Sequence, residues 1–198
     1  MPYSLFNIEK VRDNFDITII EQVNIFANVP EINYSEYLTE TLRFNTPIAL
    51  ANNSEKSRSE MIIAPILLEL KRIYPQNASI FSGKDFTVDI EKGLNGFCDF
   101  LISRSPEQLV IASPVIAVVE AKNENIEACL GQCMAEMIAA QIFNQQKGKQ
   151  FPQILGAVTT GSNWKFMRLK EKTIEVDLNE YFLNQVAKIL GIFSLGLL

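Results

Sequence analysis

The spacing of apolar and polar residues changes along the chain, and each spacing predicts an element. From Glu60 to Tyr74, Met61, Ile62, Ile66, Leu67, Leu70 and Ile73 recur at helical intervals, with Ser57 or Ser59 as an opening cap and Pro75 as the stop. Pro65 inside this segment predicts a kink or the start of its regular part. Strand patterns follow at Ser79 to Ser82 and at Phe86 to Ile90, where sides alternate. Asn95-Gly96 is a hairpin signal that returns the chain into a strand from Cys98 to Ser103. After a loop bounded by Ser105-Pro106 and Ser113-Pro114, Val115 to Ala121 predicts a buried strand.

The segment Asn125 to Gln145 predicts a long helix. Ile126, Leu130, Met134, Met137 and Ile138 form one face, and Ala128, Gly131, Ala135 and Ala139 give the other a small-residue surface. A helix apolar all round belongs between layers. Ile154 to Thr160 predicts a second buried strand, Thr160 to Asn163 a turn, Trp164 to Leu169 its return and Thr173 to Leu178 an edge strand. Asn179 to Ile192 predicts a closing helix. Before residue 53 the chain reads as helical, from Ser4 through Val11 and from Ser35 through Leu42, with a loop from Asn45 to Asn53. Helix, three strands, helix, strands, helix is the order of an α/β sandwich with a mixed sheet.

The 198 residues and 47% hydrophobic content suit one domain with a full core. No apolar run reaches the ~18 residues of a transmembrane helix, and Met1-Pro2-Tyr3-Ser4 does not open a signal peptide. A cytoplasmic protein with no membrane partner is the expectation. Cys98, Cys129 and Cys133 suggest buried thiols rather than a disulfide framework. The chain has no histidine, which excludes histidine triads, histidine-containing zinc sites and imidazole bases. Acid–base chemistry then falls to carboxylates, lysine, tyrosine or metal-bound water. The net charge of −5 argues against a general nucleic-acid binder, although basic residues cluster locally at Lys56, Arg58, Lys71 and Arg72, at Lys147 and Lys149, and at Lys165, Arg168 and Lys170.

Chemistry concentrates where Val115-Ile116-Ala117-Val118-Val119 runs into Glu120-Ala121-Lys122. Alternation puts Glu120 and Lys122 on one face at the end of a buried strand. Unpaired charge there is costly, and Asp99 on the preceding strand is the natural companion. Two carboxylates and an ammonium on neighbouring strand ends look like a divalent-metal phosphodiesterase site. Hard oxygen ligands favour magnesium, manganese or calcium over zinc. Glu136 lies one turn after Gln132, so both share a flank of the long helix. No glycine loop for phosphate is present to support a nucleotide-handling enzyme.

With Asp99 after Cys98, the Glu120-Ala121-Lys122 triplet and this order of helices and strands, the chain resembles the PD-(D/E)XK nuclease superfamily. It departs from the formula in carrying Cys98 where proline stands. The resemblance implies a restriction-endonuclease-like core, a three-layer α-β-α sandwich around a mixed sheet. It divides the single domain into a helical N-terminal extension (residues 1–53), a core (54–178) and a C-terminal helix (179–198). It implies Glu60, Asp99, Glu120 and Lys122 as catalytic residues, supported by Gln132 and Glu136. Magnesium or manganese is expected on Asp99, Glu120 and the Ala121 backbone carbonyl, with Glu60 reaching it through water. Lys56, Arg58, Trp164 and Lys165 are expected to touch nucleic acid, Trp164 by stacking on a base. DNA is the expected substrate and a homodimer the expected assembly. The alternative is an inactive nuclease-fold module for nucleic-acid binding or protein interaction.

Overall fold

The structure, a computed structural model, describes residues 2–122 and 124–198. In chain order the elements are α1 (Ile8–Phe15), β1 (Thr18–Gln22), α2 (Glu36–Asn52), α3 (Glu55–Arg58), α4 (Ala64–Ile73), β2 (Ser79–Asp85), β3 (Phe97–Ser103), β4 (Val115–Ala121), α5 (Leu130–Gln146), β5 (Ile154–Thr159), β6 (Asn163–Lys170), β7 (Thr173–Phe182) and α6 (Val186–Ser194). The strands form one open sheet ordered β1-β7-β6-β5-β4-β3-β2. β4 and β5 run parallel, as do β1 and β7, and the remaining neighbours are antiparallel. This is the expected mixed sheet with helices on both faces. Among the described residues no helix is long and apolar enough to cross a membrane.

Two apolar layers sandwich the sheet. On one side Met134, Met137 and Ile138 of α5 and Val11 of α1 pack on Val118, Val158 and Met167. On the other, Ile62, Ile66, Leu70 and α6 residues Ile189 and Phe193 pack on Ile116, Val119 and Phe166. β4 is buried along its whole length because both faces are covered. The small-residue side of α5 has a specific use. A Cβ on Gly131 would lie 2.4 Å from the Cα of Asn7, so glycine lets the start of α1 cross directly over α5.

α3 and α4 belong to one helical run interrupted by a π turn over Ser59–Ile63. Pro65 accounts for it. Proline has no N–H to offer the carbonyl four residues earlier, and the Asn45 side-chain amide donates to that Met61 oxygen instead, at 3.0 Å. The orphan is satisfied from α2, which runs through Pro47 to Asn52 where a loop was expected.

Other departures share a cause, the neglect of tertiary pairing. The N-terminal extension is not only helical, since Thr18–Gln22 adds an edge strand alongside β7. Its helix starts at Asn7, whose side chain caps Lys10, and not at Ser4. Phe86 to Ile90 alternates but forms a loop with a single bridge, Asp89 to Leu94. β7 extends to Phe182, into the segment expected to begin the last helix.

Candidate active site

The β3–β4 ladder last pairs Phe100 with Val119. Beyond it the strands part, and the Asp99 side chain takes over a ladder role: its Oδ2 accepts the Ala121 N–H at 2.8 Å. This fixes the carboxylate beside the end of β4. Next on β4, Glu120 is 1% exposed and turned toward α5. Its Oε1 accepts from Lys122 Nζ at 2.6 Å and from Gln132 Nε2 at 2.6 Å. The same amide donates to Glu136 Oε1 at 3.1 Å. Lys122 follows the last residue of β4 and stays aligned with β5 because its N–H donates to Thr159 O at 2.8 Å. The expected shared face of Glu120 and Lys122 is therefore an ion pair, and the i,i+4 flank of Gln132 and Glu136 continues it into the core.

Charge in this cluster is out of balance. Asp99, Glu120 and Glu136 face the single ammonium of Lys122. Burial, reinforced by the Asp99 charge, pushes the Glu120 carboxyl up to about 7. Burial also raises Asp99, partly offset by the Ala121 N–H and Lys122. Glu136 is fully buried, and burial with the nearby Glu120 charge holds it well above the carboxylate range. Lys122 is raised, since the carboxylates outweigh its own burial. Glu120 Oε2 and Glu136 Oε2 are buried without a hydrogen-bond partner. A carboxylate pair of this kind calls for a shared proton or a cation.

Several expected residues lie elsewhere. Glu60 is exposed and pairs with Lys56 across one helical turn, at 3.8 Å. The π turn beginning at Ser59 shifts the phase between Glu60 and the core-facing residues after Pro65. Lys56 is thereby a solvent-facing partner of Glu60. Trp164 does not stack on a base. Its indole is wholly buried against Phe166 and Phe193, and Nε1 donates to Gly161 O at 3.3 Å. Lys165 is not a surface cation either. It is 7% exposed, shares a sheet row with Glu120 through Val158, and donates to Leu178 O at 3.4 Å. That carbonyl lies where the β6–β7 register shifts. Arg58 lies at the turn after β5.

Sequence reasoning missed Glu55. Its charge acts on Glu120, Lys122 and Cys129 together, which makes it, rather than Glu60, the acidic residue of the first core helix nearest the cluster. The missed signal was Ser54, whose side chain accepts the Ser57 N–H at 3.1 Å and starts the helix one turn earlier than expected.

The donor set suits a hard divalent cation. Glu120 Oε2 has no donor, Asp99 commits only Oδ2 to a hydrogen bond, and magnesium is content with one or two carboxylates and water. Among the described residues no three Asp, Glu or Cys side chains gather around one metal position, so further ligands would be backbone carbonyl or water. A cavity of about 820 Å³, lined by Gln141, Gln145, Lys149 and Lys172, lies at the opposite end of α5. Comparison with protein-family models and with curated proteins gives no match.

Proposed function

We propose that the protein is a divalent-metal-dependent nuclease of the PD-(D/E)XK type that hydrolyses phosphodiester bonds in DNA. The observation that carries this reading is the pair of carboxylates, Asp99 and Glu120, where β3 and β4 part, with Glu120 Oε2 buried and unpartnered and Lys122 alongside. Asp99, Glu120 and the Ala121 carbonyl would hold magnesium or manganese, which when bound supplies positive charge for the phosphate and an acidified water. Lys122 keeps its proton at neutral pH and offsets negative charge developing on the phosphate. Gln132 fixes the Glu120 rotamer through its 2.6 Å bond. Glu136 anchors Gln132 from the core side. The reading carries with it a cytoplasmic protein, and a homodimer where both strands are cut.

One observation favours the runner-up, an inactive module for nucleic-acid binding or protein interaction. The Lys122 ammonium already sits on Glu120 Oε1 at 2.6 Å, as it does in a purely structural ion pair.

Incubation with plasmid, single-stranded and branched DNA separates the two. The expected result is cleavage of at least one form in magnesium or manganese, abolished by chelation and by Asp99→Asn. Intact DNA of every form with both metals favours the inactive module.

A further inference from the structure

Of the basic clusters along the chain, the one at Lys147 and Lys149 takes no part in the site at Asp99 and Glu120. Lys149 lines the cavity of about 820 Å³ at the far end of α5. At 1.5 Å per residue, Gln145 lies about 20 Å along that helix from Gln132. The cavity is within the size range of small-molecule sites, and its walls are tied in place. Gln141 Nε2 donates to Glu171 O at 2.9 Å, which pins the β6–β7 turn to α5. Asn144 Nδ2 donates to Val115 O at 2.7 Å and its Oδ1 accepts the Val115 N–H at 2.8 Å, which pins α5 to the start of β4. Gly148, with φ +68°, turns the chain back after α5, and the Lys149 N–H donates to Asn144 O at 2.9 Å. Phe151 is half-buried, with part of its ring packed on the core.

Within this frame some groups are spent and others are free. Lys172 holds Asp16 at 2.8 Å, and Lys147 lies over the Phe143 ring at 5.8 Å. Among the described residues the side chains of Lys149, Gln145 and Gln150 make no hydrogen bond or ion pair. One exposed lysine is ordinary; its convergence with free amides and an aromatic on a preformed hollow is not. An ammonium takes an anion as a point charge. Each carboxamide presents a donor and an acceptor side by side, as the edge of a nucleobase does. Phe151 offers an apolar face on which a base can stack. Glu171 is the one carboxylate of the lining. Its charge disfavours a polyanion and is compatible with a ligand carrying a single phosphate.

We propose that this cavity binds a free mononucleotide, with its phosphate on Lys149, its base edge on Gln145 and Gln150, and its base face on Phe151. The inference stands whether or not the Asp99 and Glu120 pair cleaves DNA.

The test is isothermal titration of the full chain, without metal, with deoxyadenosine and thymidine monophosphates. Inorganic phosphate, the two nucleosides and a single-stranded oligonucleotide are titrated beside them. The expected result is one site with a Kd below about 1 mM for at least one nucleotide. Phosphate or nucleoside alone should bind more weakly by roughly ten-fold or more. Lys149→Gln should raise Kd roughly ten-fold, the worth of one charged hydrogen bond, and Gln145→Ala a few-fold. Both side chains are exposed, so neither change removes a core contact. Asp99→Asn should bind as wild type does. No heat with either nucleotide, phosphate binding as tightly as the nucleotides, or a wild-type Kd in Lys149→Gln overturns the inference. So does binding lost in Asp99→Asn, which places the nucleotide at the other end of α5. An oligonucleotide that binds more tightly than either nucleotide assigns the surface to nucleic-acid chains and overturns the inference as well.

Discussion

Replacing Glu120 by glutamine is expected to abolish cleavage and, at the same time, to stabilise the metal-free protein above neutral pH. The wild-type carboxyl rises from 4.5 to about 7 on folding, first through burial and then through the Asp99 charge. Between those values the folded chain holds a proton that the unfolded chain releases. Stability therefore falls as pH rises through this window, and the contribution is gone above the folded value. At about 1.4 kcal/mol per tenfold step the loss is roughly 3 kcal/mol. Asp99 and Glu136 shift in the same direction, but both remain in the variant. Glutamine cannot ionise, so the variant lacks this pH dependence. Urea denaturation without metal should give matching stabilities at about pH 5 and a more stable Glu120→Gln at about pH 8, by up to that amount. Saturating manganese at the higher pH should stabilise wild type by about 2.7 kcal/mol at a hundred times its Kd, and the variant little. Cleavage should fall by a factor on the order of a thousand or more. Parallel stability curves for the two proteins across this range would mean that Glu120 is ionised and satisfied as it stands.

Lys122→Met should separate chemistry from metal binding. Methionine keeps most of the stem and removes the ammonium bonded to Glu120 Oε1 at 2.6 Å. Gln132 still holds that oxygen, and the Asp99 bond to Ala121 N–H does not involve the side chain. Manganese affinity should stay within a few-fold of wild type, or tighten, since a competing cation has gone. The kcat should fall by a factor on the order of a hundred to a thousand, as for loss of one donor to developing negative charge. Isothermal titration and single-turnover cleavage give the two numbers. Equal loss of both would assign Lys122 a structural role.

The core elements were legible in the sequence where the local pattern and the tertiary environment agree. β4 is apolar from Val115 to Val119 because both faces are covered, and α5 carries Glu136 as its one charged residue because it lies between α1 and the sheet. Asp99, Glu120 and Lys122 were legible because an abrupt charge at the end of such a run has few structural uses. Gln132 and Glu136 followed from i,i+4 spacing. What escaped depends on distant partners. β1 is short and half-exposed, and only its pairing with β7 makes it a strand. α2 continues through Pro47 although proline usually ends or kinks a helix. Glu60 had the right sequence neighbourhood but the wrong phase, because a π turn intervenes. Trp164 beside a turn reads either as a base-stacking aromatic or as one packed on the sheet, and the fold decides for packing by closing its indole against Phe193 of α6. Glu55 was hidden by a helix start placed one turn late.

Crystals grown with manganese at about pH 8, above the Glu120 transition, give the most direct test of a shared cation. Anomalous scattering should place a single manganese between the Asp99 and Glu120 carboxylates, with Glu120 Oε2 among its ligands and the Lys122 ammonium retained nearby. Crystals of the same form with no manganese at that pair, and Glu120 Oε2 still without a partner, would contradict the site and the reaction built on it.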